Sequence, residues 1–473
     1  MTKRMVCVVL LFCAAGISAN SQIFNSLASF DVTNGSGPYA SLVQGFDGNL
    51  YGTTLGGGSN GYGTIFQISS DGALTILHSF DTSEGYTPQG ALALANNGEL
   101  YGTTYQGGPS DDGTIFQIAP GGELTTLYSF CSQPGCVDGS RPYSGLIQAA
   151  DGTYYGTTYF GGANDYGTVF RITSAGSLTT LYSFCSQQGC ADGVYPAARL
   201  IQARNGNFYG TTAGGGSGSN EPGTVFKISP EGNLTTLYTF CAQLGCADGT
   251  EPLAGLIQGT DGNFFGTTYM GGGAGDGTVF EITPGGHLTT LHSFCLDGNC
   301  LDGANPVAGL VQATNGILYG ATQLRGTGHN GTIFEMTPGG NLTTIYSFCA
   351  EPNCADGSTP YSTPVQATDG ILYGTTFIGG TSNEGTVYSL SAGLDPFVET
   401  LPGLSRVDRR VIILGNNLTG STAVSFNGTA ATFTVVSDTE ITATVPAGAT
   451  TGFVTVATPG GTLTSNKKFG VVP

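Results

Sequence analysis

The chain has no tryptophan and only four histidines among its 473 residues. Without Trp, the largest stacking surface for a sugar ring is missing, which weakens a carbohydrate-binding reading. So few His leave little material for proton shuttling or metal ligation. His78 and His292 stand where sister segments carry Tyr, so they read as packing residues, while His287 and His329 fall in a turn and a loop. No H-E-x-x-H, G-x-S-x-G or phosphate-loop sequence occurs. Charge is sparse too: Asp, Glu, Lys and Arg make up 10% of the chain, against about a quarter in ordinary domains. Lys and Arg total 13 against 32 acidic residues. That balance repels polyanions, which argues against nucleic acid or an anionic membrane as partner.

Long apolar runs are absent except at the start. "MTKRMVCVVLLFCAAGISA" has a basic beginning (Lys3, Arg4), an apolar stretch from Met5 to Ala15 and a small residue at Ala19. This predicts a secretory leader over 1–19, too short for a comfortable membrane span. A lipoprotein reading at Cys13 would want a small residue before it and finds Phe12. Without Lys3 and Arg4, 11 basic residues face 32 acidic ones, a formal charge of −21. The mature chain is expected to be secreted, with no inserted segment. Glycine is abundant, 79 residues, but lacks the G-X-Y period of collagen. Apolar content of 39% at regular spacing argues against disorder.

Cys7 and Cys13 belong to the leader. The other ten form five C-x4-C pairs: Cys131/Cys136, Cys185/Cys190, Cys241/Cys246, Cys295/Cys300 and Cys349/Cys354. In a secreted chain such an even set reads as local disulfides, each worth roughly 2 kcal/mol by loop closure. Zinc is the rival reading. It requires four converging ligands, and successive pairs lie a whole repeat apart.

The repeat dominates the organisation. "YGTT" or a variant starts at Tyr51, Tyr101, Tyr155, Tyr209, Phe265, Tyr319 and Tyr373. "GTIF", "GTVF" or "GTVY" starts at Gly63, Gly113, Gly167, Gly223, Gly277, Gly331 and Gly385. An apolar run such as "GLIQAA" precedes each "YGTT", beginning at Ser41, Ala91, Gly145, Arg199, Gly255, Gly309 and Thr363. A segment such as "LTTLYSF" closes each copy except the last. Each copy thus holds four short β-rich segments, A to D, bounded by turn residues and lacking helical spacing. Four strands in about 54 residues describe a propeller blade. Solenoid units are shorter, and a β-helix rung does not use four strands. The seventh copy lacks D, and "NSLASF" at 25–30 is an isolated D. The expected fold class is therefore all-β: a seven-bladed β-propeller over 23–393, closed by an N-terminal strand that buries Leu27 and Phe30 against the seventh copy.

Runs such as "DGNLYGTTLGGGSNGYGTIFQIS" (47–69) with "LTTLYSF" resemble the GloVer tandem-repeat family of secreted and surface proteins of bacteria, over about residues 25–392. The resemblance implies a propeller-like extracellular array and carries no catalytic residue. "DGNLYG" is also similar to the blade motif of sensor-type regulatory propellers. After Pro396 and Pro402 the pattern changes to short alternating strands, expected at Val411–Leu414, Ala423–Phe426, Thr432–Val436, Glu440–Val445 and Gly452–Ala457. Residues 394–473 read as an Ig-like sandwich without Cys or Trp. "VIILGNNLTG" and "TEITATVPAGATTGFVTV" resemble the IPT/TIG family, which implies a spacer or binding module.

The A–B and C–D turns are tight, whereas the D–A and B–C loops are long and variable, and in a propeller those loops share one face. Variable loops on a rigid frame are where binding concentrates. Tyr105, Tyr159, Tyr269 and Phe377 follow "GTT" at the loop entrances. They are expected either to meet a ligand or, as is commoner, to pack blade on blade. Asp112, Asp165, Glu221, Asp276 and Glu384 recur in the B–C loops, and Asp138, Asp192, Asp248, Asp302 and Asp356 in a C-x-D-G step. Converging carboxylates would offer Ca²⁺ the six to eight oxygens it takes, but no EF-hand spacing is present, and an Asp-Gly step is more often a turn bonding its own backbone. No cofactor is expected. The reading is a non-catalytic extracellular binding or adhesion protein for a glycan or surface protein. The alternatives are a polysaccharide-active enzyme using loop carboxylates and a structural envelope or matrix protein.

Overall fold

The computed structural model describes residues 22–216 and 222–472. The expected leader and Glu221 fall outside the described residues. The chain is all-β, with strands connected by turns and loops. Up to Ser391 the strands form four-stranded antiparallel sheets that look like propeller blades. The first is Val43–Gln44, Leu50–Thr54, Thr64–Ile68 and Leu74–Ser79. Strand A is much shorter than its apolar run predicts: two residues form the ladder, and the rest run on as irregular backbone between sheets.

The expectation of strands and turns alone needs one correction, and it falls on the cysteines. Four of the C-x4-C segments contain a three-residue 3-10 turn: Pro134–Cys136, Gln188–Cys190, Leu244–Cys246 and Pro352–Cys354. These are the helical turns among the described residues. The second cysteine of each pair ends the turn in the left-handed region, with φ of 50° at Cys136 and 52° at Cys190, Cys246 and Cys354. The cause is ring closure. The Cα atoms of these pairs stand 4.0–4.1 Å apart, and the coiled chain between them closes the short loop. The fifth segment makes its turn differently: Asp297 Oδ1 accepts from the N–H groups of Asn299 and Cys300, both at 3.0 Å.

The repeat motifs have local physical causes. The second Thr of "GTT" and the Thr of "GT(I/V)F" are fully buried and hydrogen-bond each other, as in Thr54–Thr64 and Thr376–Thr386, both at 2.8 Å. Two hydroxyls that would be costly to bury alone satisfy one another. The Gly of "YGTT" makes room for the aromatic ring of strand C: a Cβ on Gly52 would stand 2.5 Å from Phe66 Cζ. Strand D carries a one-residue bulge in each sheet, as between Val169 and Phe170 of its partner. The carbonyl of the bulged Leu presses on a turn Gly of the next sheet, where a Cβ on Gly122 would lie 2.6 Å from Leu77 O.

The core lies between sheets rather than within them. Phe130 of one copy packs with Leu146, Tyr154 and Phe170 of the next. Phe30, Leu42 and Phe66 pack in the same way with Tyr373 and Val387, so the first and last copies share a core. The N-terminal strand Ile23–Ser29 pairs antiparallel with Thr386–Ser391, Ala28 opposite Val387, and carries the same bulge. Phe30 is fully buried and Leu27 is half-buried.

Residues after Leu394 form two further four-stranded sheets. One holds Glu399–Leu401, Arg410–Leu414, Glu440–Thr444 and Phe433–Val435; the other holds Ala423–Phe426 between Thr429–Ala430 and Val454–Thr458, with Gly461–Thr464 outermost. Val411, Ile413, Val424, Phe426, Ile441 and Val456 fill the space between them. This sandwich docks on the tight-turn side of the array. Leu414 joins the core of Tyr51, Leu92 and Leu100, Asn416 Nδ2 donates to Thr368 Oγ1 at 2.8 Å, and Thr439 Oγ1 donates to Phe46 O at 2.5 Å.

Tyr388 occupies the slot that Phe fills in the other copies. Its hydroxyl is buried without a hydrogen-bond partner among the described residues, and burial raises its ionisation out of reach. Tyr388→Phe is expected to stabilise the protein by about 1–2 kcal/mol by removing an unsatisfied group. Urea or thermal unfolding measures it, and a loss of stability would contradict this account.

Candidate binding face

In every copy the D–A loop reaches a proline, and the residue before it bridges two sheets. The N–H donates to a carbonyl in the preceding copy's B–C loop: Thr87 to Tyr62, Arg141 to Asp112, Tyr195 to Tyr166, Glu251 to Pro222, Asn305 to Asp276 and Thr359 to Asn330, at 2.7–3.3 Å. Gly37 donates to Glu384 O at 2.9 Å, from first copy to last. The carbonyl of each bridging residue accepts from the residue after "GTT" in its own copy, as Arg141 O does from Tyr159 N–H at 3.0 Å. All seven bridging residues have φ between 53° and 62°, including the β-branched Thr87 and Thr359. Such residues rarely enter the left-handed region, and here bonds on both sides of the peptide hold them there.

These bridges gather the D–A and B–C loops on one face, with a strip of aromatic rings on it. Phe377 meets Tyr361 at 5.2 Å between centroids, and Tyr361 stacks on Tyr39 at 4.8 Å. Tyr39 meets Tyr143, which meets both Tyr105 and Tyr159. Tyr159 stacks on Tyr195 at 5.0 Å, and Tyr195 reaches Tyr166. Every ring in the strip is half-buried. The Tyr39 and Tyr143 hydroxyls hydrogen-bond at 2.7 Å. Burial raises the ionisation of Tyr39, Tyr143, Tyr159 and Tyr361, so all four remain neutral hydroxyl groups at ordinary pH. Of the four aromatics singled out in the sequence, Tyr105, Tyr159 and Phe377 join the strip. Tyr269 makes no ring contact with the strip among the described residues, though it is near enough to Tyr361 to act on its ionisation. Tyr166 in its B–C loop escaped the sequence reading, and so did Tyr39, Tyr143, Tyr361 and Tyr195. The shared signal of the last four is position, immediately after or before the D–A proline.

The carboxylates do not assemble into one site. Asp112 lies 3.7 Å from Arg141, which also covers the Tyr105 ring. Burial holds the Asp112 carboxyl above its usual range while the Arg141 charge pulls the other way. Asp165 accepts from Gly161 N–H in its own turn at 3.0 Å, and Glu384 accepts from the Ser36 hydroxyl. Asp276 stands beside the Cys295–Cys300 bridge with no side-chain hydrogen bond among the described residues. Four C-x-D-G carboxylates, Asp138, Asp192, Asp248 and Asp356, are essentially fully buried. Each reaches back across the loop: Asp192 accepts from Tyr182 Oη at 2.8 Å, Ser186 N–H at 2.9 Å and Gln187 N–H at 3.2 Å. This differs from a simple Asp-Gly turn, because the side chain ties the whole loop to strand D. In the copy with His292 the same bond runs to Asp302 at 2.9 Å.

All five expected disulfides form within their loops: Cys131–Cys136, Cys185–Cys190, Cys241–Cys246, Cys295–Cys300 and Cys349–Cys354. Their backbone also holds the neighbouring B–C loop, because the carbonyls of Cys190, Cys246 and Cys354 accept from Gly216, Gly272 and Gly380 N–H, each at 2.9 Å. Asp112 with Cys131 and Cys136, and Asp276 with Cys295 and Cys300, are close enough for metal ligation, but the sulfurs are bonded to each other and offer no thiolate. Among the described residues no three carboxylates converge within 4.8 Å.

The model of the Gloeobacter/Verrucomicrobia repeat matches residues 16–220, 135–324 and 202–401. The chain belongs to this repeat family. Its C-terminal part, residues 402–470, matches the IPT/TIG domain. No match was found among curated proteins. A fungal alcohol oxidase of the AA5 family, solved with copper, is similar over 95% of this Gloeobacter/Verrucomicrobia repeat protein and 99% of its own chain, with TM-score 0.51 and 15% identity. That likeness shows a shared fold alone. More distant are an extracellular domain assigned to a hybrid two-component system of B. thetaiotaomicron (TM-score 0.49, 10% identity, covering 94% of this chain and 54% of that one) and a gluconolactonase from Xanthomonas campestris (TM-score 0.41, 11% identity, 79% and 90%).

Asp192→Ala leaves several donors of one buried loop without an acceptor. It is expected to cost about 3 kcal/mol, seen as a lowered unfolding midpoint. A neutral result would mean the loop is held by its disulfide alone.

Proposed function

We propose that this chain is an extracellular, non-catalytic binding or adhesion protein, built as a seven-bladed propeller closed by its N-terminal strand. Its ligand is a glycan or a surface protein, met on the loop-rich face. Closure is supported by the pairing of Ile23–Ser29 with Thr386–Ser391, by the Gly37–Glu384 bond and by the core shared between first and last copies. Extracellular placement is supported by the five disulfides, which persist in oxidising compartments, and by the leader-like start of the sequence. Among the described residues no helix is long and apolar enough to cross a membrane.

The observation that carries the binding reading is the aromatic strip from Phe377 to Tyr166. Rigid, half-exposed Tyr rings offer large contact area at little entropic cost, and their hydroxyls add hydrogen bonds. The carboxylates fit an enzyme less well. A glycosidase needs two free carboxyl groups across one groove, whereas here Asp112, Asp165 and Glu384 each have a local partner.

The test is a glycan array together with a pull-down against bacterial surface proteins, run with the mature chain. A ligand should be captured, and the double change Tyr105→Ala with Tyr159→Ala should weaken it roughly tenfold or more. Two empty screens, or capture unaffected by the double change, would sink the proposal.

A further inference from the structure

Inside the ring of A strands lies a cavity of about 570 Å³. Ile147, Ile201, Ile257, Val311 and Val365 give its walls apolar patches, and Gln148, Gln202, Gln258 and Gln312 stand among them. One end is covered by Pro402, Gly403 and Leu404 of the C-terminal domain, with Lys467 and Lys468 beside them. The other end has Tyr39, Tyr143 and Tyr361 at its rim. In a chain with 32 acidic and 13 basic residues, this cavity is lined by Arg199, Arg204, Lys467 and Lys468 and by no carboxylate.

Three of the four cations are already engaged, Lys468 over the Phe453 ring at 5.9 Å. Lys467 lies 3.5 Å from Glu399, and Arg204 donates to Gly259 O. Arg199 is different. It stands at the first position of its A run, where the other copies have Ser41, Ala91, Gly145, Gly255, Gly309 and Thr363. Nothing in the packing of the repeat calls for a large side chain there. Arg199 donates through Nε to Leu146 O at 2.9 Å, and the terminal nitrogens of its guanidinium have no hydrogen-bond partner among the described residues. Burial pushes this guanidinium down to about 10, with Glu399 the one charge acting against the shift. Arg199 is half-buried with the cavity beside it, and a planar fork of N–H groups matches a carboxylate or phosphate in a bidentate way. The volume falls in the range of about 300–1,000 Å³ used for small ligands.

We propose that this cavity binds a small organic anion of sugar size, whose carboxylate or phosphate group pairs with the free edge of the Arg199 guanidinium while its body lies against the A-strand walls. Lys468, half-buried at the domain side, adds to the positive field. Entry is from the loop face, past Tyr39, Tyr143 and Tyr361.

Thermal unfolding and titration calorimetry of the full mature chain test this with D-glucuronate, glucose 6-phosphate, inorganic phosphate and D-glucose. Glucuronate or a phosphate compound is expected to raise the unfolding temperature by about 2 °C or more at saturating concentration, and glucose to leave it unchanged. A response to glucuronate alone assigns a carboxylate ligand; a response to the phosphates alone assigns a phosphorylated one. Arg199→Ser places in this copy what the first copy carries at Ser41, so it should fold, melt no lower than the parent without ligand, and bind the anion roughly tenfold more weakly or worse. Arg199→Lys should keep part of the response, and it supplies the comparison should the Ser variant fail to fold. No response of the parent to any of the three anions, or equal affinity in the Arg199 variants, would overturn the assignment. The double Tyr105, Tyr159 variant should keep the anion response, so the two sites fail or stand separately.

Discussion

One backbone amide per copy, placed just before a proline, holds the loop face together. Its N–H reaches the preceding copy and its carbonyl reaches its own, so each bridging residue is pinned between two sheets. The left-handed conformation this requires is expensive for Thr87, Tyr195 or Thr359. It persists because the surrounding bonds over-determine it, and the following proline removes a competing donor. Everything on the face inherits its position from these bridges: the residues after "GTT" are hydrogen-bonded to them, and the aromatic strip grows from their flanks.

Apart from the bridging amides, many polar groups are satisfied locally, whereas apolar groups are satisfied at long range. Threonine pairs, carboxylates buried beneath their own loops and single-loop disulfides each close inside one copy. The apolar core, by contrast, is always shared with a neighbour. A copy taken alone would keep these local bonds but lose its interior and the amide bridges to its neighbours. Stability in such an array resides in the interfaces between units, which is why pairing between the first and last copies carries weight far beyond one strand.

Much of this was legible in the residues. Seven copies, four segments per copy and the stray D segment at 25–30 point to the observed sheets, and the C-x4-C spacing points to the observed disulfides. The 3-10 turns that end at Cys190, Cys246 and Cys354 were not, because three residues are too few to show a helical period. The strand edges in the C-terminal sandwich fall within one or two residues of those expected. The A run was misjudged in length, because its apolar character reflects packing around a cavity rather than ladder hydrogen bonds. The C-x-D-G carboxylate looks like a turn residue, and only the folded loop reveals its reach to Tyr182 or Tyr238. Tyr39, Tyr143 and Tyr361 were hidden because side-chain direction around a ring is not written in spacing. Arg199 was visible as the odd residue in its column, but its surroundings were not.

The pairing of Ile23–Ser29 with Thr386–Ser391 sets an order of events. Until Thr386–Ser391 has been made, Ile23–Ser29 has no partner strand, while the sheets between them pair within themselves. The last copy must arrive before that edge strand is covered. Pairing between segments so distant in the chain carries a large loop-closure entropy, so the edge that Thr386–Ser391 offers stays open until late in folding.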